Sequence, residues 1–254
     1  MKTNFGLALL LTTGAGLATT IGSLIGLSVK KPGPKFMGFT LGFSAGVMVL
    51  ISFMELLKNS IDTIGFEKAY AGFFLGMIIF FFIDFLIPHD YIGQHDHGEI
   101  DQTSRLMRAG LLIALGIFIH NFPEGMATFV GAMGNVRLGI AIAVAIAIHN
   151  IPEGLAVSVP IYAATGSRKK AFVWSFLSGV SEPVGAGIAG LILLPFLTPN
   201  LLGWVLAFVA GIMVAISIDE LIPIAKSYDI EHTPIIGVII GMLVMVLSLR
   251  LLGG

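Results

Sequence analysis

His120-Asn121-Phe122-Pro123-Glu124-Gly125 and His149-Asn150-Ile151-Pro152-Glu153-Gly154 each sit in the middle of an apolar stretch, 29 residues apart. A charged side chain at the centre of a bilayer costs at least ~2.5–3.5 kcal/mol on insertion scales, so it needs a partner there. An imidazole, a carboxamide and a carboxylate together suit a metal ion. Their repetition makes chance a poor explanation.

The surrounding composition sets the environment. Of 254 residues, 56% are hydrophobic and only 11% charged, with a mean hydropathy of +0.96. Soluble domains carry about a quarter charged residues, so the chain reads as a membrane protein. Apolar stretches near 5–29, 36–57, 69–88, 107–134, 137–163, 171–196, 201–225 and 234–252 are each close to the ~20 residues that a spanning helix needs. The expected fold is an all-α integral membrane protein, an eight-helix transmembrane bundle forming one domain over 1–254. The first stretch is too long for a signal peptide and runs into Lys30 and Lys31 without a cleavage site. Residues 139–148 alternate like a strand, but the apolar run continues too far, and an open strand cannot span a bilayer. Cysteine is absent, which removes thiolate sites and disulfides. A net charge of −1 offers nothing to nucleic acid.

Basic residues orient the chain. Lys30, Lys31, Lys35, Arg105, Arg108, Arg168, Lys169, Lys170 and Lys226 fall on one side; Lys2, Lys58, Lys68, Arg137 and Arg250 fall on the other. The positive-inside rule then puts both termini outside and the loop 89–105 in the cytoplasm.

Two internal echoes organise the bundle. Aligning 113–127 with 142–156 matches Ile113 with Ile142, Ala114 with Ala143, Ile117 with Ile146, and Ala127 with Ala156, besides the motif itself. Aligning 46–57 with 211–222 matches Gly46 with Gly211, Met48 with Met213, Ser52 with Ser217 and Glu55 with Glu220. Successive spans run antiparallel, so both echoes are repeats inverted across the midplane, a pattern of many secondary transporters. Alanines on helix 5, and Gly185, Gly187 and Gly190 on helix 6, give small faces that let backbones approach closely.

Each helical residue turns ~100°, so a histidine at 0° puts the asparagine at ~100° and the glutamate, four residues on, at ~40°. All three share one face. Two antiparallel copies facing each other would offer His120, Asn121, Glu124, His149, Asn150 and Glu153 to a common space. That exceeds what one tetrahedral zinc needs; two adjacent metal positions bridged by the glutamates are the sharper reading. Pro123 and Pro152 lack the N–H that would bond to Ile119 and Ile148, so helices 4 and 5 are expected to be broken there and to line a cavity. Glu182, mid-segment in Ser181-Glu182-Pro183, would add a third carboxylate against two divalent ions, though a carboxylate satisfied by serine or by a proton reads similarly. Glu55, Asp219 and Glu220 fall near expected helix ends, where interfacial solvation competes with a gating role. Asp84 stays unassigned. The loop holding His89, Asp90, His95, Asp96, His97, Glu99 and Asp101 reads as solvated polar chain sooner than as a metal collector.

The paired HN-x-PEG motifs, the eight helices and the short loops resemble the ZIP (Zrt/Irt-like) metal transporters, closest to their bacterial members. The resemblance extends along most of the chain. It implies uptake of Zn2+, and often other divalent ions, across the plasma (inner) membrane through a binuclear site on helices 4, 5 and 6. His120, Asn121 and Glu124 match the helix 4 motif; His149, Asn150 and Glu153 match the helix 5 motif; Glu182 matches the acidic position on helix 6. The metal is then transported substrate and no catalytic cofactor is implied; the partners are divalent ions, the lipid bilayer and a second copy in a homodimer. Nitrogen and oxygen ligands without sulfur favour Zn2+, Fe2+, Mn2+ or Co2+ over Cu+. An intramembrane zinc-dependent hydrolase is the competing reading, but no His-Glu-x-x-His helix is present. A coupled carrier of an organic solute lacks midplane aromatic or basic contacts.

Overall fold

The computed structural model describes residues 2–29, 33–86, 102–134, 136–193, 196, 198–228 and 231–252. The acidic and histidine-rich run 89–101 lies outside them. All regular structure among the described residues is helical: α1 (Lys2–Ser28), α2 (Pro34–Ile64), α3 (Phe66–Leu86), α4 (Gln102–Gly134), α5 (Val136–Thr165), α6 (Arg168–Ile188), α7 (Pro199–Lys226) and α8 (Thr233–Leu252). Seven of these, α1, α2 and α4 to α8, are long and apolar enough to cross a membrane.

Local chemistry sets the ends. Ser167 accepts the Lys170 N–H at 3.3 Å to cap α6, and Thr198 accepts that of Leu201 at 3.2 Å to cap α7. Gly65 (φ 85°) and Gly166 (φ 63°) take left-handed conformations, ending α2 and α5 where a side chain would be strained.

The expected breaks in helices 4 and 5 need correction. Both run uninterrupted through Pro123 and Pro152. A proline deletes one intrahelical bond, and the neighbours clamp the turn that follows. A Cβ on Gly125 would meet the Glu182 carbonyl oxygen, and one on Gly154 the Thr19 carbonyl oxygen. Ser44 on α2 also donates to the Pro152 carbonyl at 2.7 Å.

The irregular turns lie elsewhere. α2 widens into a π-helical turn at Ser52–Leu57, α7 at Ser217–Leu221, and α6 is followed by one at Ala189–Leu193. The first two occupy the echoed positions, and Ser52 and Ser217 back-bond alike to the Met48 and Met213 carbonyls, at 2.6 and 2.7 Å. Glu55, Asp219 and Glu220 therefore sit inside continuous helices, not at helix ends. A π turn admits one extra residue without stopping the helix.

α1, α4, α5 and α6 pack into an inner quartet, in which α5 lies on α1 and α4, and α6 lies on α4 and α1. α2 pairs with α8 and touches α5; α3 pairs with α7, which touches α4. Exchanging α1 with α6, α2 with α7, α3 with α8 and α4 with α5 maps these contacts onto themselves. Close backbone approaches obey the same exchange. A Cβ on Gly76 would strike the Phe208 carbonyl oxygen and one on Gly241 that of Phe43; Gly211 would strike Phe73 and Gly46 would strike Val238. Small residues at helix crossings supply the attraction between helices that hydrophobicity cannot supply in lipid. The large exposed apolar side chains, among them Phe74, Phe81 and Phe85 on α3 and Ile239, Leu243 and Leu247 on α8, suit contact with hydrocarbon.

Candidate metal centre

The inner quartet buries a set of polar groups that an apolar bundle has no packing reason to hold. His120, Asn121, Asn150, Glu153 and Glu182 are fully buried, and Glu124 is 1% exposed. Leaving such groups unsatisfied in a low-dielectric interior is expensive, so their partners identify what the cluster does.

α4 and α5 bring His120 and Glu153 together: Nε2 lies 2.8 Å from Oε1. His120 Nδ1 is 3.1 Å from the Gly116 carbonyl. A carbonyl only accepts, so Nδ1 carries a hydrogen and Nε2 turns toward the carboxylate. The Asn121 carboxamide completes the group. One end is 2.9 Å from His120 Nε2, 3.2 Å from Glu153 Oε2 and 3.3 Å from the Ile117 carbonyl. The other faces the Ser178 carbonyl of α6 at 3.4 Å. With nitrogen inward, the amide donates to Glu153. With oxygen inward, three lone-pair donors face one another, which a metal ion or a proton on His120 Nε2 satisfies, and the nitrogen donates to Ser178. Ligands at the ~2.0–2.2 Å bond lengths of zinc stand about 3.3–3.6 Å apart along the edges of a tetrahedron. The 2.8, 2.9 and 3.2 Å spacings here are a few tenths of an ångström shorter, as suits groups joined by hydrogen bonds with no ion between them.

A second group joins α5, α6 and α1. Asn150 donates to the Ala15 carbonyl at 2.8 Å and, over a very short distance, to Glu182 Oε1. Asn150 Oδ1 and Glu182 Oε2 are buried acceptors without a hydrogen-bond partner. Two unpaired acceptors suit a cation, or a proton held in its place. The α4 and α6 backbones touch beside them, where a Cβ on Gly125 would meet the Glu182 carbonyl and one on Gly185 that of Phe122.

The structure thus brings His120, Asn121 and Glu153 together, and Asn150 and Glu182 together. Glu124 is buried on the same α4 face; the side chain of His149 lies outside the described residues, as does that of Asp84. Glu220 is buried in the α7 π turn, Glu55 is half-buried, and Asp219 borders an apolar cleft of 390 Å³ with Phe74, Phe80, Phe81 and Ile218 between α3 and α7. Sequence reasoning missed α1, whose Ala15 carbonyl holds Asn150. Its signal was present as Gly16 and Gly22, spaced like Gly179 and Gly185 on α6.

Fold and site define a multi-pass helical membrane protein with a cluster of buried polar and acidic side chains inside its inner quartet. Residues 88–249 match the ZIP Zinc transporter family. A zinc transporter ZupT of Oceanobacillus iheyensis is 51% identical across 98% of this chain and 99% of its own. A zinc transporter ZupT of Chlorobium phaeovibrioides is 54% identical across 96% and 97%, and one of Nitratidesulfovibrio vulgaris is 46% identical across 98% of each. The chain belongs to the ZIP zinc transporter family, a family of transporters and not of enzymes.

Proposed function

We propose that this protein takes up Zn2+ into the cytoplasm, with Fe2+, Mn2+ and Co2+ as further substrates, through a two-metal midplane site. Its ligands are His120, Asn121, Glu124, His149, Asn150, Glu153 and Glu182, with the glutamates of α4 and α5 bridging. The observation that carries this reading is the convergence of His120 Nε2, Glu153 and the Asn121 amide within 2.8–3.2 Å at full burial. A structural ion pair would not need the third donor. The names of the zinc transporters with which the chain shares about half its residues support the same substrate.

The chemistry follows from the ligand set. Carboxylates offset the cost of bringing a divalent ion to the midplane, while imidazole and amide ligands replace part of its hydration without adding charge. Inward movement is favoured by the membrane potential, at ~2.3 kcal/mol per charge per 100 mV. α3 crosses as the eighth span, so that one transmembrane domain has both termini outside the plasma membrane and pairs as a homodimer. No observation favours a hydrolase.

The test is zinc flux into proteoliposomes holding a metal-sensitive dye. Wild-type protein should load the lumen with zinc in the absence of any organic solute. Protein that leaves the dye unchanged at all imposed voltages would defeat the reading.

A further inference from the structure

Serine and threonine hydroxyls inside a helix ordinarily donate to the carbonyl one turn back. On α1, Thr12 and Thr13 do so, reaching Ala8 at 3.0 Å and Leu9 at 2.7 Å. Thr19, Thr20 and Ser23 do not: their buried hydroxyl oxygens have no hydrogen-bond partner among the described residues. Thr19 and Ser23 are fully buried. The carbonyls one turn back are those of Ala15, Gly16 and Thr19. Each already takes its helical N–H, and a neighbouring helix engages what is left. Ala15 accepts Asn150 at 2.8 Å, Gly16 is pressed against Gly179, and Thr19 accepts Ser175 at 3.3 Å and abuts Gly154. The crossings of α1 with α5 and α6 thus strand three hydroxyls within about one turn.

The internal symmetry gives no reason for this cluster. α1 corresponds to α6 with an offset of 163 residues, as Gly16 to Gly179 and Gly22 to Gly185. Under that exchange Thr20 and Ser23 become Pro183 and Ala186, and Ser158 of α5 becomes Phe129 of α4. That other half of the quartet is apolar. Phe5 and Phe129 meet edge to face at 5.1 Å against Gly190, with Ala8, Met126 and Ala186 buried around them. The hydroxyls of Thr12 and Thr128 there are bonded to their own helices. In the half that holds Thr19, Thr20 and Ser23, Ser158 replaces the aromatic ring, its Oγ 3.1 Å from a Cβ built on Gly26.

Residues three and four apart are neighbours on a helix surface, so one water can bridge Thr19 to Ser23 and another Thr20 to Ser23. Leaving a buried hydroxyl unpaired is costly, and buried water settles where it can bond about three such groups. We infer that Thr19, Thr20 and Ser23 form a water-binding site in the seam of α1 with α5 and α6. Gly26 and Ser158 lie between it and the end of the quartet where α1 stops and α6 starts, and water reaches it from that end. It keeps exchangeable water one helical turn from the Ala15 carbonyl that holds Asn150, while the half sealed by Phe5 and Phe129 excludes water.

The test is water-edited solid-state NMR on the full-length protein in lipid bilayers, which reads magnetisation passed from water to assigned residues. Transfer should be severalfold stronger at Thr19, Thr20 and Ser23 than at Ala8 and Thr12. Thr20→Val with Ser23→Ala nearly keeps the shape and deletes two hydroxyls; it should lose most of the transfer and leave the unfolding midpoint unchanged or lower. Ser23→Thr keeps a hydroxyl and should keep the transfer. Transfer at Thr19, Thr20 and Ser23 no stronger than at Ala8 would overturn the site. So would a higher midpoint in the double variant, because removing dry, unpaired hydroxyls relieves their cost. No metal enters the measurement, so either result leaves the zinc reading where it stood.

Discussion

His120 Nε2 and Glu153 Oε1 stand 2.8 Å apart at full burial, one from each copy of the repeated motif. Two lone pairs at that distance hold something positive between them, either a proton or a metal ion. The contact joins α4 to α5 through an imidazole and a carboxylate buried between the inner helices.

Glu153→Ala should reduce zinc accumulation in expressing cells to the background of cells without the protein, while the protein stays in the membrane fraction. It removes both oxygens facing His120 and Asn121. Removing one partner of a buried charged pair costs ~3–5 kcal/mol, so a thermal-shift control must accompany uptake. Unchanged accumulation at equal protein level would remove Glu153 from the site.

Zinc binding should release protons. His120 Nε2 and Glu153 Oε1 at 2.8 Å make a hydrogen bond, and a metal ion that took both as ligands would displace its hydrogen. A pH-indicator dye in weak buffer should report acidification when zinc is added to purified protein, and less of it with Glu153→Gln. Binding without any proton release would show that the pair is not displaced by the metal.

Gly125→Leu should abolish uptake by shape alone. Even the first carbon of the new side chain meets the Glu182 carbonyl, so α4 and α6 must separate. Overpacking of this kind costs about 1–3 kcal/mol, read as a lower unfolding midpoint in detergent. Gly187→Ala is the control, since a Cβ there meets no heavy atom within 4 Å. Equal stability of the two variants would refute the close contact.

Ser44→Ala should cost little. Its hydroxyl donates to the Pro152 carbonyl at 2.7 Å, joining α2 to α5, but hydrogen bonds between membrane helices average only ~0.6 kcal/mol. Stability should fall by about that much, with uptake retained. A loss of several kcal/mol would mean that α5 depends on this bond to stay helical through its proline.

Much of this was legible in the chain. Composition and the length of apolar stretches identify a helical membrane protein, because transfer to hydrocarbon is nearly a sum over single residues. The inverted relation of 46–57 to 211–222 was readable too, and Ser52 and Ser217 now open matching π turns. The cluster of buried polar groups was also legible, since an imidazole, an amide and a carboxylate cannot be placed repeatedly in hydrocarbon without a partner.

Only the tertiary structure decided how those groups combine. Continuity through Pro123 and Pro152 depends on what α1, α2 and α6 press against those turns, and nothing local in the motif specifies that. The pairing of His120 with Glu153, and of Asn150 with Glu182 and the Ala15 carbonyl, depends on how far each helix is rotated about its axis. That rotation is set by glycine crossings between segments distant in sequence, such as Gly16 with Gly179 and Gly22 with Ile151. Hydropathy is blind to it, because a helix turned by a third of a circle keeps the same composition and loses every contact.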